Sequence, residues 1–231
     1  MTIPFRPIAK ILTRSLHPAP KVDISAAEVF LTHMEQNMLE QGVLLTANHF
    51  SAIDFHSWWF VIIISATIPV HVHWVVSAGW TNSGWLTGFT HWLFPRGAKI
   101  LGFTPMPAMP PDPRQVEQRA RAVRQMLDYA SQSRYPVIGL TPEGGDFPGG
   151  VLGNLPPGVG RFIHLLSRYC PDILPVGVWK EHDTIQLKFG SPYSLDVPEG
   201  ISTSHKDILV GDTVMHHIAE LLPERLRGKY G

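Results

Sequence analysis

Five short apolar stretches recur along this chain, at Val43–Ala47, Val70–Ser77, Lys99–Phe103, Val137–Leu140 and Ile173–Val178, with helix-patterned segments between them. That alternation constrains the fold more than any other feature. A strand, a helix and another strand in turn form a right-handed crossover unit and build a parallel sheet covered on both faces. The expected class is therefore α/β: a single-domain α/β sandwich around a largely parallel sheet flanked by helices. Thr184–Phe189 alternates apolar with polar residues and reads as a half-exposed strand, an antiparallel portion of the same sheet.

The intervening helices are read from period and end signals. A helix over 26–41 has Ala26, Val29, Phe30, Met34, Met38 and Leu39 as its apolar face, with Gly42 as its C-terminal cap. Another runs from about Asp54 to Ala66 and stops before Pro69. Trp85, Phe89 and Trp92 stand at helical spacing within 79–95. After a Pro-rich loop over 105–113, Asp112, Pro113 and Gln115 signal a helix start, and Val116, Ala120, Val123, Leu127 and Ala130 supply a buried stripe. A loop over 141–157 with glycines at 144, 145, 149, 150 and 153 leads to a helix over 159–169. The last helix, 205–222, starts with Ser204 and Asp207 and turns Ile208, Met215, Ile218 and Leu222 inward. No composition shift marks a boundary beyond an N-terminal arm over 1–25, so 26–231 reads as one domain.

Composition narrows the function classes. Lys plus Arg and Asp plus Glu are 19 each in 231 residues, and no basic block occurs, which argues against nucleic acid as the main partner. Charged residues are 16% of the chain, below the usual ~25%, which suits an apolar ligand or a membrane face. The greasiest run, Trp58–Val76, is broken by Ser65, Thr67, Pro69, His71 and His73 and reads as a buried helix and a strand instead of a membrane span. In the arm, Phe5, Ile8, Leu12 and Leu16 oppose Arg6, Lys10 and Arg14, a spacing that fits either a helix on an anionic membrane surface or a plain packing arm. No signal peptide is expected, and the single cysteine, Cys170, allows no internal disulfide.

The chemistry concentrates where the first strand ends, at Asn48-His49-Phe50-Ser51-Ala52-Ile53-Asp54. Open α/β sheets place ligands beyond the carboxyl ends of their strands, and His49 stands there. A carboxylate at Asp54, folded back in a tight turn, would fix the imidazole tautomer and stabilise the imidazolium, leaving the other nitrogen to take a proton from a hydroxyl. The alternative is structural, with Asp54 capping the next helix and His49 a turn residue.

Asn48-His49, four intervening residues and Asp54 resemble the first motif of the glycerolipid acyltransferase family. Leu140-Thr141-Pro142-Glu143-Gly144-Gly145 resembles its third motif, and Ile173-Leu174-Pro175-Val176-Gly177-Val178 its fourth. Gly158 to Arg161 stands where the family has a glycine-containing turn into a helix, and the likeness runs over roughly 40–190.

The resemblance implies a glycerol-phosphate acyltransferase-like sandwich in which His49 and Asp54 are catalytic. It implies substrate contacts from Asn48, Ser51, Glu143, Gly144 and Gly145, and no metal or cofactor. Acyl-CoA or acyl-carrier protein would be the donor and a lipid or lysolipid the acceptor, at a membrane surface, with the protein cytoplasmic and peripheral at the inner face. For Glu143, bonding to backbone amides of the loop is an equal expectation. Two departures stand out. Gly145 and Asp146 replace the third motif's arginine, and 102–108 lacks the arginine of the second. Either the acceptor is not a simple glycerol phosphate, or Arg96, Arg114 or Arg161 substitutes.

Other constellations carry less. His71 and His73, alternating on one strand face, could bind metal with His49, Asp54 or His56, or belong to an edge strand exposing polar residues. Cys170 reads as a buried small hydrophobe. Ser51 and Ser57 lack a nucleophile-elbow glycine pattern, and 144–153 lacks a phosphate-loop ending. Trp58, Trp59, Trp80, Trp85, Phe89 and Trp92 fit a core, an acyl groove or a membrane interface.

Overall fold

A computed structural model describes residues 4–50, 58–77, 96–107, 113–145 and 147–231. Six helices are labelled here: α1 Phe5–Arg14, α2 Glu28–Glu35, α3 Trp58–Thr67, α4 Val116–Gln132, α5 Val159–Leu166 and α6 Thr203–Ala219. The strands are β1 Lys21–Asp23, β2 Val43–Ala47, β3 His73–Ser77, β4 Thr104–Met106, β5 Val137–Leu140, β6 Asp172–Glu181 and β7 Thr184–Phe189. They form one seven-stranded sheet in the order β1-β7-β6-β2-β5-β3-β4. All neighbouring pairs are parallel except β6 with β7. The α/β class and the antiparallel portion at 184–189 are as the sequence predicts.

Period-2 alternation separates the two cores. Val43, Leu45 and Ala47 of β2 pack with α1, α2 and α3, through residues such as Phe5, Met34 and Ile63. Leu44 points the other way, towards Met126 of α4, Ile163 of α5 and Val214 of α6. With both faces covered, β2 is buried along its length, as a central parallel strand must be. No helix among the described residues is long and apolar enough to cross a membrane.

Several boundaries differ from the sequence reading, each for a local reason. The helix expected over 26–41 ends at Glu35, because Asn37 takes a left-handed φ of 56°; Val29 and Met38 are exposed. Gly42 caps nothing: a Cβ there would lie 2.2 Å from the Tyr169 carbonyl oxygen, so glycine permits that close approach. The strand expected at Lys99–Phe103 is instead helical over 96–101, and Gly102 turns the chain into β4.

On α4 the stripe is rotated, with Ala122, Met126 and Ala130 buried and Val116 exposed. Gln115 makes no side-chain cap. The last helix is capped by Ser202, whose hydroxyl accepts the His205 N–H at 3.2 Å, and Ile208 is exposed. Asp207 caps a different helix. Its carboxylate accepts the N–H groups of Gly158 (2.7 Å) and Arg161 (2.8 Å) at the start of α5.

The N-terminal arm is packed onto the domain: Phe5 and Ala9 are buried, Phe5 meets Phe103 edge-on at 5.2 Å, and β1 joins the sheet beside β7. Ile8 and Ile11 of the same helix remain exposed.

Candidate functional site

The parallel register makes β2 end beside β6, with Ala47 level with Val176. Beyond that point the backbone pairing stops, and the next residue continues it with a side chain. The Asn48 amide group donates to the Val178 carbonyl oxygen at 2.8 Å, and its Oδ1 accepts the Val178 N–H at 2.7 Å. One buried side chain thereby satisfies both backbone groups of Val178, at 1% exposure. The main chain of Asn48 is released to turn away from the sheet.

The turn follows at once. Phe50 N–H donates to the Asn48 carbonyl at 3.1 Å, a three-residue turn with His49 at its centre. The His49 N–H donates to Glu143 Oε2 at 2.7 Å. Glu143 Oε1 accepts the Gly153 N–H at 2.8 Å, and the side chain is 3% exposed. A carboxylate receiving two short backbone bonds is a strong anchor in a low-dielectric setting. It joins the His49 turn to the glycine-rich loop.

The loop covers the turn. Phe50 is buried with its ring against Gly150, where a Cβ would lie 2.4 Å from the ring. Gly144, at φ 68°, closes a turn onto the Thr141 carbonyl at 3.1 Å. His49 is half-buried with its Nδ1 inside the protein, and its ring meets the Phe60 ring of α3 edge-on, centroids 5.8 Å apart. The backbone of His49 is thus fixed on both sides at the carboxyl end of a central strand.

Of the residues singled out from sequence, Asn48, His49, Glu143 and Gly144 come together here. Glu143 makes the backbone contacts that were one of its two expectations. Gly145 follows in the same loop, partly buried. Ser51, Asp54, His56, Ser57, the aromatics at 80, 85, 89 and 92, and Asp112 and Asp146 lie outside the described residues. Trp58 and Trp59 stack at 4.3 Å, and Trp58 is exposed. Gly153 and the Val178 backbone complete the anchoring; Gly153 had a signal only as one glycine among five, and Val178 only as the last residue of an apolar strand motif. Arg114 precedes α4 and Arg161 opens α5, both at helix starts that follow strands of the parallel sheet.

The histidine pair at 71 and 73 is not a shared face. β3 begins at His73, so His71 lies before the strand and is exposed while His73 is buried. Nor is β3 an edge, since it lies between β5 and β4. His73 Nε2 is 2.9 Å from the Thr104 hydroxyl, and the ring lies over Tyr129 at 3.9 Å. Burial, helped by His71, pushes its pKa down to about 4, so it is neutral at ordinary pH. Among the described residues no group of three or more His, Cys, Asp or Glu side chains could hold a metal ion. Cys170 is fully buried beside the Pro136 carbonyl, and burial pushes its thiol up to about 12.

No protein-family model matches this chain, and no curated protein matches it.

Proposed function

We propose that the chain is an acyltransferase that moves a fatty acyl group from an acyl thioester to a hydroxyl, or an amine, of a lipid or lipid-precursor acceptor. The observation that carries this reading is the anchoring of His49. Its backbone is held by the Asn48 clamp and the Glu143 carboxylate, and the residue is half-buried at the carboxyl end of β2. A base whose backbone is held in this way is pre-organised for proton abstraction. The motif resemblance supplies the reaction type and gives Asp54 the part of imidazole partner.

In this mechanism the His49 imidazole takes the acceptor's proton as its oxygen attacks the thioester carbonyl carbon. The tetrahedral adduct then collapses, the C–S bond breaks, and the imidazolium returns the proton to the departing thiolate. An ester and a free thiol result, with no acyl-enzyme. Glu143 serves in this scheme through the two backbone amides it holds. The donor is acyl-CoA or acyl-carrier protein. The enzyme works at the inner face of a membrane, on an acceptor other than a simple glycerol phosphate.

The test is thiol release from long-chain acyl-CoA, with and without lysolipid, glycerol-phosphate and non-phosphate acceptors, in wild type and His49→Ala. Release that needs an acceptor and disappears in the variant supports the transferase. Acceptor-independent release points to a thioesterase-like hydrolase, and acyl-lipid binding without turnover to a binding protein. Efficient acylation of lysophosphatidic acid would overturn the assignment of a non-standard acceptor.

A further inference from the structure

Two short turns, Glu224–Leu226 and Gly228–Tyr230, pack against the end of the glycine-rich loop. The Leu226 carbonyl accepts the Leu152 N–H at 2.9 Å. Gly228 has φ 56°, and a Cβ there would lie 2.6 Å from the Leu152 carbonyl oxygen and 3.2 Å from the Val151 side chain. Leu226 and Tyr230 are buried in the same core as Leu152, and Tyr230 meets His216 of α6 edge-on at 5.3 Å. The strap is tied down behind as well, Arg227 Nε donating to the Leu222 carbonyl at 2.9 Å.

The next residue after Leu152 is Gly153, whose N–H is held by Glu143, whose other oxygen holds the His49 N–H. An unbroken series of short contacts therefore runs from the strap through 151–153 and one buried carboxylate to the turn that carries the imidazole.

We infer that residues 224–230 are a positioning element for His49, acting through the backbone of 151–153 and the Glu143 carboxylate. This rests on the reading of His49 as the base. Glu143 holds the His49 turn more firmly when the Gly153 amide on its other oxygen is itself fixed, and the strap fixes the backbone beside that amide. A shift of about 1 Å at a reacting group costs on the order of 10²-fold in rate, so a slack strap is felt in turnover without touching substrate. A strap with only a structural role would lower melting temperature and leave turnover per folded molecule alone.

Two measurements decide it. Native-state amide exchange on the wild type should show Leu152, Gly153 and His49 losing protection in the same opening as Arg227 and Tyr230. In Gly228→Ala, exchange at Gly153 and His49 should rise about tenfold while Val43–Ala47 stay protected. A His49 amide that stays protected while the strap opens overturns the inference.

In the acyl-transfer assay, Gly228→Ala should lower kcat about tenfold with KM for the thioester little changed. In a Glu143→Gln background the same substitution should cost at most about twofold, because the link is already cut. Additive losses overturn the inference. Should Gly228→Ala not fold, Leu226→Val replaces it in both measurements, and the wild-type exchange comparison holds without either variant. Absence of turnover in the wild type would sink the functional reading, whereas the exchange result needs no turnover and still decides the strap.

Discussion

His49 and His73 each sit at the end of a strand in one sheet, yet the two regions treat a histidine in opposite ways. At the carboxyl end of β2 the backbone is gripped, with Asn48 on Val178 and Glu143 on the His49 N–H, and the histidine is half-buried. At the amino end of β3 the ring itself is consumed, bonded to Thr104, laid over Tyr129 and buried. The first arrangement fixes the backbone on either side of the histidine. The second uses the imidazole as a core residue. The residue type is the same, but one histidine follows a strand's carboxyl end and the other opens a strand at its amino end, and their surroundings differ accordingly.

The sharpest way to break this comparison is His49→Ala. Loss of a general base should lower kcat by roughly 10²–10⁴-fold, with the melting temperature within a few degrees of wild type. His73→Leu should leave kcat within about twofold. A large kcat loss in His73→Leu, with full activity in His49→Ala, would reverse the two assignments.

Asn48→Leu comes next. It strips both partners from the buried Val178 N–H and carbonyl, and each buried unsatisfied group costs about 1–3 kcal/mol. Chemical denaturation should show stability down by about 2–5 kcal/mol, with activity falling as the turn loosens.

The third effect is a pH dependence. The folded pKa of His73 is depressed from 6.5 to about 4, so the unfolded chain gains a proton at a pH where the folded chain does not. Stability from this residue is full above pH 6.5 and is lost as pH falls towards 4, by up to about 3 kcal/mol. Urea midpoints between pH 7 and 4.5 should therefore fall more steeply in wild type than in His73→Leu; parallel curves would show the ring is not held neutral.

The smallest effect concerns Cys170. With its thiol pushed up to about 12 inside the core, it should resist thiol-modifying reagents in the native protein and react only on unfolding. Rapid native labelling, with activity lost, would bring back a reactive cysteine.

The frame was legible because it rests on local rules. β2, β5 and β7 have the predicted bounds, since short apolar or alternating runs bounded by turns have few alternatives. Near glycines and at helix faces the sequence misleads. Gly42 looks like a cap and is a close contact; Asp207 looks like a cap for its own helix and caps α5 instead. Both depend on a partner more than 45 residues away, which local pattern does not contain. The site divides in the same way. His49 at a strand end was readable from the motif, whereas the Asn48–Val178 clamp and the Glu143–Gly153 bond are side-chain-to-backbone contacts spanning 130 and 10 residues. The Val178 backbone has no signature of its own. The histidine pair failed for a simpler reason: β3 begins at His73 rather than Val70, so alternation does not extend to His71.

The pairing of β1 with β7 sets a schedule for synthesis. Lys21–Asp23 pair in the sheet with residues 186–188, although Phe5 of the adjoining helix finds Phe103 far sooner. During translation residues 21–23 lack this sheet partner until residues 186–188 have emerged from the ribosome, because contacts so distant in sequence close last. Closure of that edge is then a late event, and residues 21–23 are the place to look for chaperone contact on the nascent chain.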